Sequence, residues 1–192
     1  MSQRLAAVRK HRLAFLLFAA LICLSTGCST VPKGEDRVAF ANDARTATSW
    51  FENNVYGLEQ QIDQSAAYII YPNVGQWGIL IGGGKFGRGM LNRPDDRQIG
   101  WAAINTGSVG LQAGVQGFKM LVVFEDEATL NEFMQNRLTG SVSGVATVGE
   151  ASAASKAPFE NGVAVYQGAQ TGLMAGINIG LDYMRYEPMV AE

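Results

Sequence analysis

Apolar residues draw two different periods along the chain. Between residues 36 and 70 they recur every three or four positions: Phe40, Ala44, Ala47, Phe51, Val55, Leu58, Ile62, Ala66 and Ile69. That spacing lines one face of a helix. Asn53, Asn54 and Gly57 interrupt it, so it predicts two helices, at about 36–53 and 58–70. Pro72 ends the pattern, because the residue before a proline avoids helical backbone. The stripe reads either as a face packed on a core or as an amphipathic surface that touches lipid.

From residue 76 the period becomes two. Val109, Leu111, Ala113 and Val115 alternate with Gly110, Gln112, Gly114 and Gln116. Later, Leu173, Ala175, Ile177, Ile179 and Leu181 alternate with Gly172, Met174, Gly176, Asn178 and Gly180. Both runs predict strands with one apolar face and one face of glycines and amides. KMLVVFED (119–126) reads as a buried strand, and a short helix is expected at about 127–137, starting after Asp126. VSGVATVG and GVAVYQGA add two strands around the loop EASAASKAP. With extended runs at about 77–92 and 98–105, seven or eight strands are expected. The fold class predicted is α+β: N-terminal helices packed on a glycine-rich, mostly antiparallel sheet or barrel-like domain, with one short inserted helix.

Gly82, Gly84 and Gly87 spell G-x-G-x-x-G after an apolar run. In a dinucleotide-binding fold such a loop opens a helix whose N-terminus attracts a pyrophosphate. Here the chain continues MLNRPDDRQIGWAAI, with Pro94-Asp95-Asp96 as turn chemistry between two extended runs. Arg88 follows Gly87 where a phosphate-binding P-loop needs Lys and Ser/Thr. The nucleotide reading is therefore rejected. Gly110 and Gly114 recur as Gly172 and Gly176 in an internal echo, G-L-x-A-G-[VI]-[QN]. On strands, such glycines share a face, which either lets a neighbouring element pack closely or lines a ligand groove.

The first residues set the expected compartment. Arg4, Arg9, Lys10 and Arg12 precede LAFLLFAALICL, and STGCST follows. This is the layout of a secretory signal peptide, and the apolar run is short of the roughly 20 residues of a membrane span. Gly27-Cys28 resembles a bacterial lipobox, although Ser25 stands where leucine is usual. Cys28 is thus the expected lipidation site. The expected organisation is a signal peptide at 1–27, a tether at 28–35 and a single domain at 36–192. Ser29 after the cysteine fits sorting to the outer membrane, facing the periplasm.

Removing residues 1–27 takes away the only histidine, His11, and Cys23. With Cys28 acylated, no imidazole or thiol remains for a catalytic triad, a cysteine nucleophile or a His/Cys zinc site. No metal or cofactor is expected, and an enzyme is disfavoured; Asp95-Asp96 is the one obvious carboxylate pair, and neighbours on a turn rarely converge on one substrate. The segment also carries four of the 15 Lys and Arg residues and none of the 17 acidic ones, leaving the remainder net acidic. Such a domain is a poor general partner for nucleic acid or an anionic surface. An anionic ligand needs a local patch, and Lys85, Arg88, Arg93 and Arg97 fall within about a dozen residues. Together with glycine-flanked backbone N–H groups they can hold a phosphate, or simply form a solvated hairpin tip.

Several motifs in order resemble the SYLF domain family. They are AAYIIYPNV, GGGKFGRGML, GWAAI, GSVGLQAGVQGFKMLVVF, the short helix ending near Phe133, and VYQGAQTGLMAGINIG, spanning about 66–188. Ala102-Ala103-Ile104 departs from the Ser and Pro that follow the tryptophan in the family, and the Ala/Ser loop replaces a Gly-Pro step. The resemblance implies phospholipid binding; eukaryotic relatives bind phosphoinositides and some bind actin. In a bacterial envelope, membrane phospholipid is the partner that carries over. The competing expectation is an interaction module that docks another envelope protein through its glycine-faced strands.

Overall fold

A computed structural model describes residues 35–79, 82–109, 114–149, 154–171 and 179–189, all within a compact unit spanning residues 31–192. Cys28, Gly110, Gly172 and Gly176 lie outside the described residues, as does most of the 173–181 run.

Two helices open the fold, α1 (Glu35–Asn54) and α2 (Leu58–Asp63). Gly57, with φ +77°, makes the sharp turn between them, a left-handed conformation that costs glycine little. Four long strands follow: β1 (Ala67–Ile79), β2 (Gly82–Asn92), β3 (Gln98–Val109) and β4 (Gly114–Phe124). Then come α3 (Glu127–Met134), β5 (Ser141–Val142), β6 (Ala146–Val148), β7 (Val163–Thr171), β8 (Ile179–Gly180), a 3-10 turn (Leu181–Tyr183) and β9 (Met184–Glu187). The main sheet has the order β6-β7-β4-β1-β2-β3-β9, and β5 pairs with β8 separately. Every neighbour pair in the main sheet is antiparallel except β6–β7. The α+β class is as expected. The barrel-like alternative is corrected: the sheet is open, with β6 and β9 as its edges.

Both faces of the sheet are covered. On one lie Ala67, Ile69, Tyr71, Val74, Leu91, Met120, Val122 and Phe124, packed under Leu130 and Phe133 of α3. The other face carries Tyr68, Ile70, Met90, Leu121, Val123 and Tyr166, packed against Ala44, Ala47, Phe51, Leu58 and Ile62 of the two helices. The helical stripe from Ala44 to Ile62 is thus core. Phe40 extends it, meeting Trp101 edge-on with ring centroids 5.6 Å apart. A buried network ties α2 to the sheet. Tyr166 donates its hydroxyl proton to Gln61 Oε1 and accepts from the Ala157 N–H at 2.9 Å, while Gln61 Nε2 donates to the Ala157 carbonyl at 3.2 Å.

The run at 77–92 covers the end of β1 and all of β2, and α3 ends at Met134 instead of near 137; three further boundaries differ from those read in the sequence. The second helix stops at Asp63, and Ala67 already belongs to β1. Because both faces of β1 are buried, Ala67 to Tyr71 are continuously apolar, and such a run carries no period of its own. Pro72 lies inside this strand, not at a helix end. The pairing of β1 with both neighbours shifts between residues 70 and 74, and an irregularity of this kind tolerates a missing N–H. Third, the alternating run 109–115 is divided: Val109 ends β3 and Val115 belongs to β4, which continues through KMLVVF as one strand. The helix after Asp126 is as read at its start, where Asp126 Oδ1 accepts from the Thr129 N–H at 2.8 Å.

Candidate functional site

The G-x-G-x-x-G glycines are all strand residues. Gly82, Gly84 and Gly87 belong to β2, facing Val109, Gly107 and Ile104 of β3 across the ladder. Extended backbone continues to Asn92, and a tight turn at residues 93–97 leads into β3; no helix follows the glycines. Gly87 packs beneath Val74, whose Cγ2 would stand 3.1 Å from an added Cβ, so close packing is its role. Gly114 starts β4 opposite Gly78.

The four cations chosen from the sequence do not form one patch. Lys85 and Arg88 are three positions apart on the same strand, and side chains at odd separations leave opposite faces. Arg93 stands eight residues beyond Lys85, a distance of about 26 Å along an extended chain. It is also engaged: Nη1 donates to the Ala66 carbonyl at 2.9 Å and pairs with Glu127. Arg97 pairs with Asp95 at 3.7 Å across the turn, with both side chains about two-thirds exposed, an arrangement of small energetic weight. Arg88 is exposed, as is Phe86 two residues before it, on the same face.

Lys85 is different. It is half-buried, and among the described residues no carboxylate lies within ion-pair distance of it. Burial lowers the pKa of its ammonium, the expected direction when a charge loses water without gaining a partner. The ladder sets it in a polar row, between Gln76 of β1 and Thr106 of β3. Two residues further along, Gly78 and Gly83 pair across the ladder. Apolar packing therefore gives way to a cation, an amide, a hydroxyl and glycine at this end of the sheet.

A second polar region was not foreseen. A cleft of about 410 Å³ separates α1 from the start of β1, the end of β2 and the turn that follows. Its lining includes Arg45, Thr48, Glu52, Tyr68, Asn92 and Asp96. The Tyr68 hydroxyl donates to Asp96 Oδ1. Burial and this hydrogen bond hold the phenol pKa well above the usual tyrosine range. Partial desolvation raises the Glu52 pKa, reinforced by the negative charges of Asp96, Glu59 and Asp63. Asn92 Oδ1 is buried without a hydrogen-bond partner. Reading residues 58–70 as one helix hid this cleft, since it left Tyr68 with no strand face. Asp96 was visible only as turn chemistry. No group of three or more His, Cys, Asp or Glu among the described residues is placed to hold a metal ion.

The architecture is thus an open α+β sheet with Lys85 set near glycines at one end. Residues 105–186 match the model of the family described as "Las17-binding protein actin regulator" (Ysc84). The SYLF resemblance read from the motifs is thereby shown over that stretch, and the family is one of lipid-binding proteins and actin regulators. No curated protein matches the chain.

Proposed function

We propose that this protein is a non-enzymatic, phospholipid-binding lipoprotein of the bacterial envelope, anchored through Cys28, with Lys85 as the cation that meets a headgroup phosphate. The observation carrying this reading is the half-buried Lys85 ammonium, which has no carboxylate partner among the described residues and lies beside glycines of β1 and β2. An anion arriving there supplies the missing countercharge, and a partly dehydrated site strengthens the attraction relative to water. Arg88, exposed on the opposite face beside Phe86, supplies a secondary contact with a membrane surface. Arg93 and Arg97 have acidic partners within the protein and contribute little. The family match supports lipid as the ligand class, and acyl chains on Cys28 hold the domain near the bilayer, so each headgroup contact can be weak.

Flotation of residues 29–192 with phosphatidylglycerol and phosphatidylethanolamine vesicles tests this. Binding at low salt is expected, falling several-fold in Lys85→Ala and unchanged in Arg97→Ala. No flotation with either lipid, or equal flotation of Lys85→Ala and the parent, refutes the assignment. In the second case, binding to an envelope protein retained in detergent favours the docking module instead.

A further inference from the structure

We propose that the cleft between α1 and the 93–97 turn binds a small organic ammonium group. The site is separate from Lys85 and does not rest on the phosphate reading. Several donors in its polar lining are already spent within the protein, Thr48 Oγ1 on the Ala44 carbonyl and Gln98 Nε2 on the Gly100 carbonyl. Glu52 projects from α1 and Asp96 from the turn. The Tyr68 hydroxyl spends its proton on Asp96 and is also hydrogen-bonded to the Asn92 side chain, so it has no proton to offer a ligand. Asn92, with 4% of its surface exposed, leaves Oδ1 buried and unpartnered, and a buried acceptor without a donor is a standing penalty. An ammonium carries three N–H donors and no acceptor, the complement of these acceptors.

Charge selects in the same direction. Glu52 and Asp96 outnumber Arg45, the one cation in the lining, leaving a single uncompensated negative charge. Arg45 is turned along its own helix, with Nε donating to the Ala41 carbonyl at 3.3 Å and Nη2 to Asn42 Oδ1 at 2.9 Å. A monovalent cation neutralises the cleft, whereas an anion meets two carboxylates. The volume suits a headgroup of a few heavy atoms. Ethanolamine chemistry fits, either as a free amine or as the end of a phospholipid headgroup.

The test is calorimetric titration of the full chain in uncharged detergent with ethanolamine, glycerophosphoethanolamine and, as the neutral match, ethylene glycol. Millimolar binding of ethanolamine and none of ethylene glycol is expected. Glu52→Gln and Asp96→Asn should each weaken it at least tenfold, about 1.4 kcal/mol; asparagine tolerates the left-handed backbone at residue 96. Arg45→Gln, exposed on α1, should tighten binding several-fold, a gain that impaired folding does not produce. Comparable binding of glycerophosphoethanolamine assigns the site to a lipid headgroup, and binding of ethanolamine alone assigns it to a free amine. No heat with either amine up to about 100 mM, equal binding of ethylene glycol, or binding indifferent to all three substitutions overturns the proposal.

Discussion

A methyl group added at residue 89 would stand 2.6 Å from Ile69 Cγ2 and 2.8 Å from the Tyr71 ring. Both neighbours are fully buried, so neither can swing away. Gly89→Ala should therefore cost about 1–3 kcal/mol, the usual penalty of overpacking a core, read as a lowered urea midpoint. Gly87→Ala meets Val74 Cγ2 at 3.1 Å and the Asn73 carbonyl oxygen at 3.3 Å, looser contacts than those at residue 89, and should cost less. Glu52 gives a pH signature at the same scale. Its folded-state pKa lies above the ordinary carboxylate value, so its contribution to stability is full below that value and lost as pH rises through the raised one. Glu52→Gln removes this loss. The variant should melt higher than the parent at neutral pH, and the gap should shrink under acidic conditions where the parent's Glu52 is protonated. Melting curves at pH 7 and pH 4 check this.

Among the elements, α2 shows what a short helix needs to stay docked. Six residues are too few to persist alone, and Leu58 and Ile62 are helped by the Tyr166–Gln61–Ala157 hydrogen bonds. Tyr166→Phe keeps the ring but strands Gln61 Oε1 and the Ala157 N–H inside the protein. A loss of about 1–3 kcal/mol is expected, with faster amide exchange at Gln61 and Ile62 as the local readout. The elements also divide by how plainly the sequence announces them. Helices α1 and α3 are exposed on one side, so Ala44, Ala47 and Phe51, or Leu130 and Phe133, keep a helical spacing against polar neighbours. In β1 both sides are buried, and AAYII joined the preceding helix because a helical step happened to pass through Ala66 and Ile69. Period two likewise recorded that residues near 109–115 are extended without revealing that they belong to two strands far apart in the sheet.

For the whole molecule, the candidate site was legible in part. Lys85, Arg88, Arg93 and Arg97 are visible as charges, but their partners depend on long-range folding: Glu127 lies 34 residues beyond Arg93, on a different element. The face from which a side chain leaves a strand follows from register, which spacing alone fixes only within one strand. Attachment to a membrane is a property of the complete chain, and here the proposal rests on Cys28. Cys28→Ser should abolish acylation, and mass spectrometry of the envelope fraction should lose the lipid-modified N-terminal peptide. An unmodified Cys28 in the parent would refute the lipoprotein assignment while leaving the proposals for Lys85 and the cleft intact.

The strand order makes the segment from Ala67 to Asn92 indispensable. β4 reaches β3 only through β1 and β2, which precede the residues that match the family model. Trimmed to that matched stretch, the chain would lose β1, β2 and the Trp101–Ile104 part of β3 on which β9 pairs, leaving the β6–β7–β4 strands with no partner on the β4 side and β9 with none at all. Here the part most easily matched to known relatives is not a part that can stand alone, because the keystone of its architecture comes from the less conspicuous hairpin upstream.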